Sequence, residues 1–141
     1  MMLTLYSATI TTALTGAVGS TFEPRKLFAA NMDYPITAMS VEFIFTYGSG
    51  GTTAKAWLQT SFDDGATWVD VANFAGTTST LSKLYNFSGL TPVTTAATIT
   101  DGSLADNTVI DGLLGDKFRV KVTTTGTYAG STTLKVVADF R

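Results

Sequence analysis

The chain has 141 residues, a net charge of −2 and a pI near 4.8, with 45% hydrophobic and only 14% charged residues. This length predicts a single domain over residues 1–141, and the hydrophobic fraction excludes a disordered chain. The absence of Cys excludes disulfides and thiolate metal sites, and the absence of His removes the commonest general base and metal ligand. The acidic balance argues against nucleic acid or an anionic membrane as a partner.

The first third of the chain predicts few regular elements. Residues 3–12 alternate loosely and indicate either a first strand or an extended arm, which could include residues 1–24. Residues 13–24 have the Gly, Ser and Thr content of a loop, and residues 25–35 show no clear pattern. Residues 39–47 predict a strand whose apolar face carries Val41, Phe43, Phe45 and Tyr47.

The middle of the chain predicts a hairpin followed by weaker elements. Residues 55–62 and 67–74 alternate as its two arms, after a turn at residues 48–51. Residues 80–87 predict another strand, and the Thr- and Ala-rich residues 94–100 a short one. Residues 101–115 contain two Asp–Gly pairs and end in a Gly115-Asp116 pair, and they predict a long, partly packed loop.

The chain ends in two alternating segments that predict a second hairpin. Phe118, Val120 and Val122 form the apolar side of the first segment, and the second carries Leu134, Val136, Ala138 and Phe140. The 27 Thr residues also favour strands. Seven or eight strands with turn signals every 8–15 residues or so predict an all-β fold, an antiparallel β-sandwich of jelly-roll or immunoglobulin-like type.

Residues 61–68 spell Ser-Phe-Asp-Asp-Gly-Ala-Thr-Trp, which matches the Asp-box pattern S-x-D-x-G-x-T-W. Asp63 can accept hydrogen bonds from the backbone of the turn, and Gly65 can adopt positive φ. Trp68 can fold back as an apolar lid. We therefore predict a structural turn formed by Ser61, Asp63, Gly65, Thr67 and Trp68.

The same octet resembles the repeat of bacterial neuraminidases and related β-propellers, in which it is a hairpin tip remote from the catalytic residues. A propeller needs several blades of four strands, whereas this chain has one box. A glycosidase also needs two positioned carboxyl groups, and most Asp residues here lie in turn contexts. The sequence therefore predicts no enzyme, no catalytic residue and no cofactor.

Calcium is an alternative for two groups of acids, because it prefers several oxygen ligands from one dense loop. Asp63, Asp64 and Asp70 form one group, and Asp101, Asp106 and Asp111 the other. Neither group has EF-hand spacing, so no metal ligand is predicted.

Four residues are predicted as interface candidates. Lys117, Arg119 and Lys121 form a row of cations on one strand face, which either protects a sheet edge or docks an acidic protein surface. Trp57 interrupts an otherwise polar face and is either an exposed anchor, for a protein or a sugar, or part of the core.

Residues 56–72, together with the Lys-Phe-Arg-Val-Lys-Val run at 117–122, resemble a class of small virion accessory proteins of tailed bacteriophages. The common pattern of that class is a strand entering S-x-D-G-x-x-W-x-x-[VL]-A, a Thr-rich middle, a Y/F-R-V-x-V strand and a final Thr/Gly-rich strand. The resemblance covers residues 38–75 and 112–141 and implies a β-sandwich found as a head decoration, fibre or tail accessory.

This resemblance implies a non-enzymatic capsid decoration or cement protein that stabilises the head through contacts with capsid or other virion proteins. A homo-oligomer is expected, with a trimer as the guess at capsid three-fold positions. The alternatives are a tail or fibre accessory protein, or a carbohydrate-binding module that stacks a glycan on Trp57 or Tyr47. Synthesis in a host cytoplasm is expected, because no run of about 20 apolar residues and no secretory signal pattern occurs.

Overall fold

The computed structural model describes residues 1–27 and 36–141, which contain ten strands and one short helix. Eight strands form two four-stranded antiparallel sheets, ordered β1-β10-β3-β7 and β2-β8-β5-β6, and the remaining two pair with each other. The elements are β1 (Met2–Thr9), β2 (Ala17–Val18), α1 (Pro24–Leu27), β3 (Ala38–Thr46), β4 (Ser49–Gly50), β5 (Thr53–Ser61), β6 (Val69–Gly76), β7 (Leu81–Ser88), β8 (Lys117–Thr125), β9 (Tyr128–Ala129) and β10 (Thr133–Phe140). The predicted antiparallel β-sandwich is confirmed.

The pairing of the strands identifies the type of sandwich. Strands nested in the chain pair with one another: β1 with β10, β2 with β8, β3 with β7, and β5 with β6. These strand pairs are joined into sheets by antiparallel pairing of β10 with β3 and of β5 with β8. This is the eight-stranded connectivity of a jelly roll, which is one of the two sandwich types that the sequence left open.

The core lies between the two sheets and is rich in aromatic side chains. Phe43 and Phe74 stack across it with ring centroids 5.6 Å apart, and the ring centroids of Phe118 and Phe140 lie 5.3 Å apart. Each such pair adds about 0.5–1.5 kcal/mol beyond the burial of its area. The apolar faces predicted for β3, β8 and β10 all point into this core.

Two of the passages of the chain between the sheets, through β4 and through β9, lie side by side at one end of the sandwich. These two crossings pair with each other, Ser49 with Ala129 and Gly50 with Tyr128. The predicted C-terminal hairpin is therefore wrong, because β8 and β10 belong to different sheets. Two alternating segments with a short connection have the same local pattern whether they form a hairpin or an arch between sheets.

One further prediction needs correction, and one pair of alternatives is decided. Residues 94–100 form no strand and are almost entirely exposed, because β propensity forms a strand only where a partner strand is available. Of the two alternatives for the N-terminal segment, the strand is the one observed, since residues 2–9 form β1 within the sheet of their own chain and residues 17–18 form β2. Of the segment without a clear pattern, α1 includes its first residues, and residues 28–35 lie outside the described residues.

The crossing requires glycine at position 48. A Cβ atom there would lie 2.0 Å from the carbonyl oxygen of Gly130, which is backbone and cannot move aside cheaply. We expect Gly48→Ala to lower the free energy of unfolding by about 2–3 kcal/mol, measured by urea denaturation.

Gly89→Ala is the matched control, because its Cβ would meet the Leu114 side chain at an ordinary 3.4 Å. Its expected cost is about 1 kcal/mol or less. Equal costs for the two substitutions would contradict the close crossing.

Candidate functional site

The turn after β5 is held together by its own side chains. The Ser61 hydroxyl donates to Asp63 Oδ1 at 2.9 Å and accepts the Gly65 N–H at 2.8 Å. Asp63 also accepts the Thr67 N–H at 2.8 Å and the Thr67 hydroxyl at 2.6 Å. Asp64 and Gly65 both have positive φ, as the tight turn requires. Hydrogen bonds from the Thr67 side chain and backbone hold the pKa of Asp63 below its ordinary value.

The cationic row on β8 faces acids of its own chain. Lys117 Nζ lies 2.8 Å from carboxylate oxygens of both Glu23 and Asp64, and Lys121 Nζ lies 2.9 Å from Asp101. Hydrogen bonds to Asp64 and Glu23 raise the pKa of Lys117. Because these cations are largely covered and each has a carboxylate partner, the row does not form an open basic patch.

The two Trp residues lie on the same outer face of the second sheet. Trp57 is only 6% exposed, and its indole N–H donates to the Leu104 carbonyl at 3.0 Å. Trp68 lies beneath the Arg119 guanidinium, whose central carbon is 4.3 Å from the ring centroid. Of the alternatives left open for Trp57, the buried position is the one observed.

A buried carboxylate, Asp70, anchors the long loop after β7 to this face. Asp70 has no exposed surface and accepts backbone N–H groups of Gly102, Ser103 and Leu104 at 2.8–3.1 Å. It also accepts the Thr100 hydroxyl at 2.8 Å. Several N–H donors satisfy a buried negative charge that would otherwise be costly.

Gln59 connects this anchor to the cationic row. Its side-chain N–H₂ donates to Asp70 at 2.8 Å and to Asp101 at 2.6 Å, and its oxygen accepts from Arg119 Nε at 2.8 Å. Hydrogen bonds from Gln59 and then Lys121 lower the pKa of Asp101. The resulting cluster of acid, amide and cation is a closed network within one chain, and it fixes the loop in place.

The two acidic groups considered for calcium are not brought together. Asp63 serves the turn and Asp64 pairs with Lys117. Asp106 pairs with Lys55 at 2.7 Å, and Asp111 accepts the Ser88 N–H at 2.8 Å. Within residues 1–27 and 36–141, no group of three acidic residues is placed to hold a metal ion.

Comparisons with known proteins give no relative for this chain. No protein-family model, curated protein or solved structure matches it. In the described part of the chain, no helix is long and apolar enough to cross a membrane. The function is therefore inferred from the geometry and the sequence motifs of the chain itself.

The anchoring role of Asp70 and Gln59 was not apparent from the sequence. Alternation places Gln59 on a polar face, but it does not say that residues 100–104 will cover that face. A polar side chain opposite an Asp on a neighbouring strand, within an otherwise buried pair of strands, is the signal that could have located the cluster.

Asp70→Ala should be among the most damaging single substitutions in this protein. It leaves three backbone N–H groups without their acceptor and removes one of the two acceptors of the Gln59 amide, so we expect a loss of about 3–5 kcal/mol in the free energy of unfolding. Residues 98–106 should also become susceptible to limited proteolysis.

Asp106→Ala is the control, because it removes an exposed ion pair from the same loop. Its expected cost is below about 1 kcal/mol. An Asp70→Ala variant that melts like the Asp106→Ala variant would disprove the anchoring role.

Stability should fall in acid. The pKa values of Asp63, Asp101, Asp111 and Asp139 are all lowered in the folded protein, so the unfolded chain binds more protons. Their contribution is complete above the ordinary Asp pKa of about 4 and is lost as the pH falls through the lowered values.

Thermal melts should therefore give a level Tm between roughly pH 8 and pH 5, where the chain has no His to titrate, and a falling Tm below about pH 4. Asp101→Asn should weaken this acid dependence. A Tm that is unchanged or higher at about pH 3 would contradict the direction of these pKa shifts.

Proposed function

We propose that this protein is a non-enzymatic structural component of a tailed-phage virion, most specifically a decoration or cement protein of the capsid. The observation that carries the proposal is the jelly-roll connectivity, an architecture that viral capsid domains share with lectins and cupins. The motif resemblance at residues 56–72 and 117–122 selects among those classes. The step from the fold to a virion role is an analogy with other jelly-roll proteins. The geometry of the polar side chains is a second, separate argument for a structural role.

The second line of support is the way the chain uses its polar groups. The acids and cations of the second sheet hold the Asp-box turn and the loop at residues 100–104. Charged side chains that form hydrogen bonds and ion pairs within their own chain stabilise its loops and turns. Such a rigid protein is suited to a structural role in an assembly. In this role its contacts with capsid or other virion proteins would reinforce the head.

The long loop offers contact surface for such a role. Leu90, Val93 and Ile99 are exposed on the segment that precedes the anchored residues, at 77%, 44% and 67%. Three exposed apolar side chains within residues 90–99 are a surface that a protein partner can bury. We assign the contact with the neighbouring capsid protein to this segment.

No geometric observation favours the carbohydrate-binding alternative. Trp57, its nominated platform, is buried beneath Leu104. Tyr47 donates its hydroxyl to the Gly50 carbonyl at 3.1 Å, and its ring packs edge-on against Tyr128. Trp57 therefore lacks the open face that sugar stacking requires.

The test uses purified particles of a phage whose genome encodes this protein. Antibodies against the purified protein should label heads by electron microscopy, and particles from a deletion strain should have intact tails and heads that break more readily on heating. Labelling of tails alone would replace the proposal by the tail or fibre alternative. Particles that contain none of the protein by mass spectrometry would reject a virion role.

A further inference from the structure

The outer face of the first sheet is the open face of the sandwich. Among its side chains are Met2, Glu42, Ile44, Leu84, Lys135 and Val137, which are all partly or fully exposed. Met2 and Leu84 are 72% and 71% exposed. The second sheet differs, because the loop anchored by Asp70 covers much of its outer face.

Two opposite charges on this face have no partner. Within residues 1–27 and 36–141, Glu42 and Lys135 are the charged side chains that make neither a hydrogen bond nor an ion pair. Even the charges at the end of the same face are paired, since Asp139 binds the N-terminal ammonium and Arg141. These two charges are therefore available to pair with groups outside the chain.

The register of the strands places the two charges beside each other. Glu42 lies opposite Val137, and Lys135 lies opposite Ile44, so the charges are diagonal neighbours on β3 and β10. Their surroundings are apolar or small: Ile44, Val137 and Leu84 flank them in the same rows. The face therefore presents one positive and one negative group among apolar side chains and small polar ones such as Ser7 and Ser82.

We propose that this face binds a second copy of the chain, sheet against sheet, about a two-fold axis that passes through the interface between Glu42 and Lys135. Such an axis brings Lys135 of each copy against Glu42 of the other, so two ion pairs form across the contact. A uniformly acidic or basic partner would repel one of the two groups. An apolar partner would bury both without compensation.

The size of the face suits a modest dimer. Four strands about 4.8 Å apart and eight residues long at roughly 3.3 Å per residue span on the order of 500 Å². Two copies then bury about 1,000 Å², which is near the lower limit for a specific interface. We therefore expect an association that depends on concentration and on salt.

This inference deepens the proposed function and rests on it in part, because it names one surface of the assembly. It makes that contact two-fold, which differs from the trimer expected at capsid three-fold positions. The particle experiment tests the virion role, whereas the dimer is tested with the purified full chain in solution, so the two can fail separately.

Charge exchange provides the test, with sedimentation velocity over a concentration series. Glu42→Lys and Lys135→Glu each turn two attractions into two repulsions, so each should raise the dimer dissociation constant by about tenfold or more. The double variant, E42K with K135E, should restore dimerisation. An equimolar mixture of the two single variants should form a heterodimer, because every contact between unlike chains is then attractive.

Controls separate this contact from general charge effects and from unfolding. Lys55→Glu and Asp106→Lys change the net charge equally but lie away from this face, and should leave the dimer unchanged. Leu84→Glu adds a negative charge to the face at an exposed position and should give a folded monomer, with the fold checked by circular dichroism. A wild-type monomer at the highest soluble concentration, an oligomer unaffected by the single exchanges, or no recovery on mixing would each overturn the proposal.

Discussion

The architecture depends on one close approach of backbone to backbone, where the chain crosses twice between the sheets. Gly48 and Gly130 leave no room for a side chain between the crossings, and β4 pairs with β9 there. Tyr128 fills the end of the core and donates its hydroxyl to the Thr77 carbonyl at 2.7 Å. Because the crossings run side by side, the strands they connect are neighbours in both sheets, which brings β3 beside β10 and β5 beside β8.

That arrangement gives the two outer faces different roles. The outer face of the second sheet lies under the loop of residues 100–104, held by the buried carboxylate of Asp70 and by the amide of Gln59. Its cations belong to the same network. The outer face of the first sheet leaves Glu42 and Lys135 without a partner in the chain. One outer face is therefore covered by the chain's own loop, whereas the other is exposed.

Local sequence patterns predicted the individual strands well where one face of the strand is exposed to solvent and the other is buried. The alternation around Val41, Phe43 and Phe45 located β3, and the Asp-box octet located the turn between β5 and β6. The same logic failed where pairing depends on distant segments. Residues 117–140 have a hairpin pattern but form an arch, and residues 94–100 have strand composition but no partner strand. Trp57 was ambiguous for the same reason, because its cover comes from Leu104, far along the chain.

The amino-acid sequence by itself determined the all-β class, the apolar faces of the main strands and the chemistry of the turn at residues 61–68. These properties depend on residues a few positions apart, so periodicity and turn chemistry are enough to specify them. Only the tertiary structure decided the jelly-roll order, the closure of the basic row by Glu23, Asp64 and Asp101, and the isolation of Glu42 and Lys135. Those outcomes depend on which distant strands and loops become neighbours, and that is set by the packing of the whole core and the crossing at Gly48.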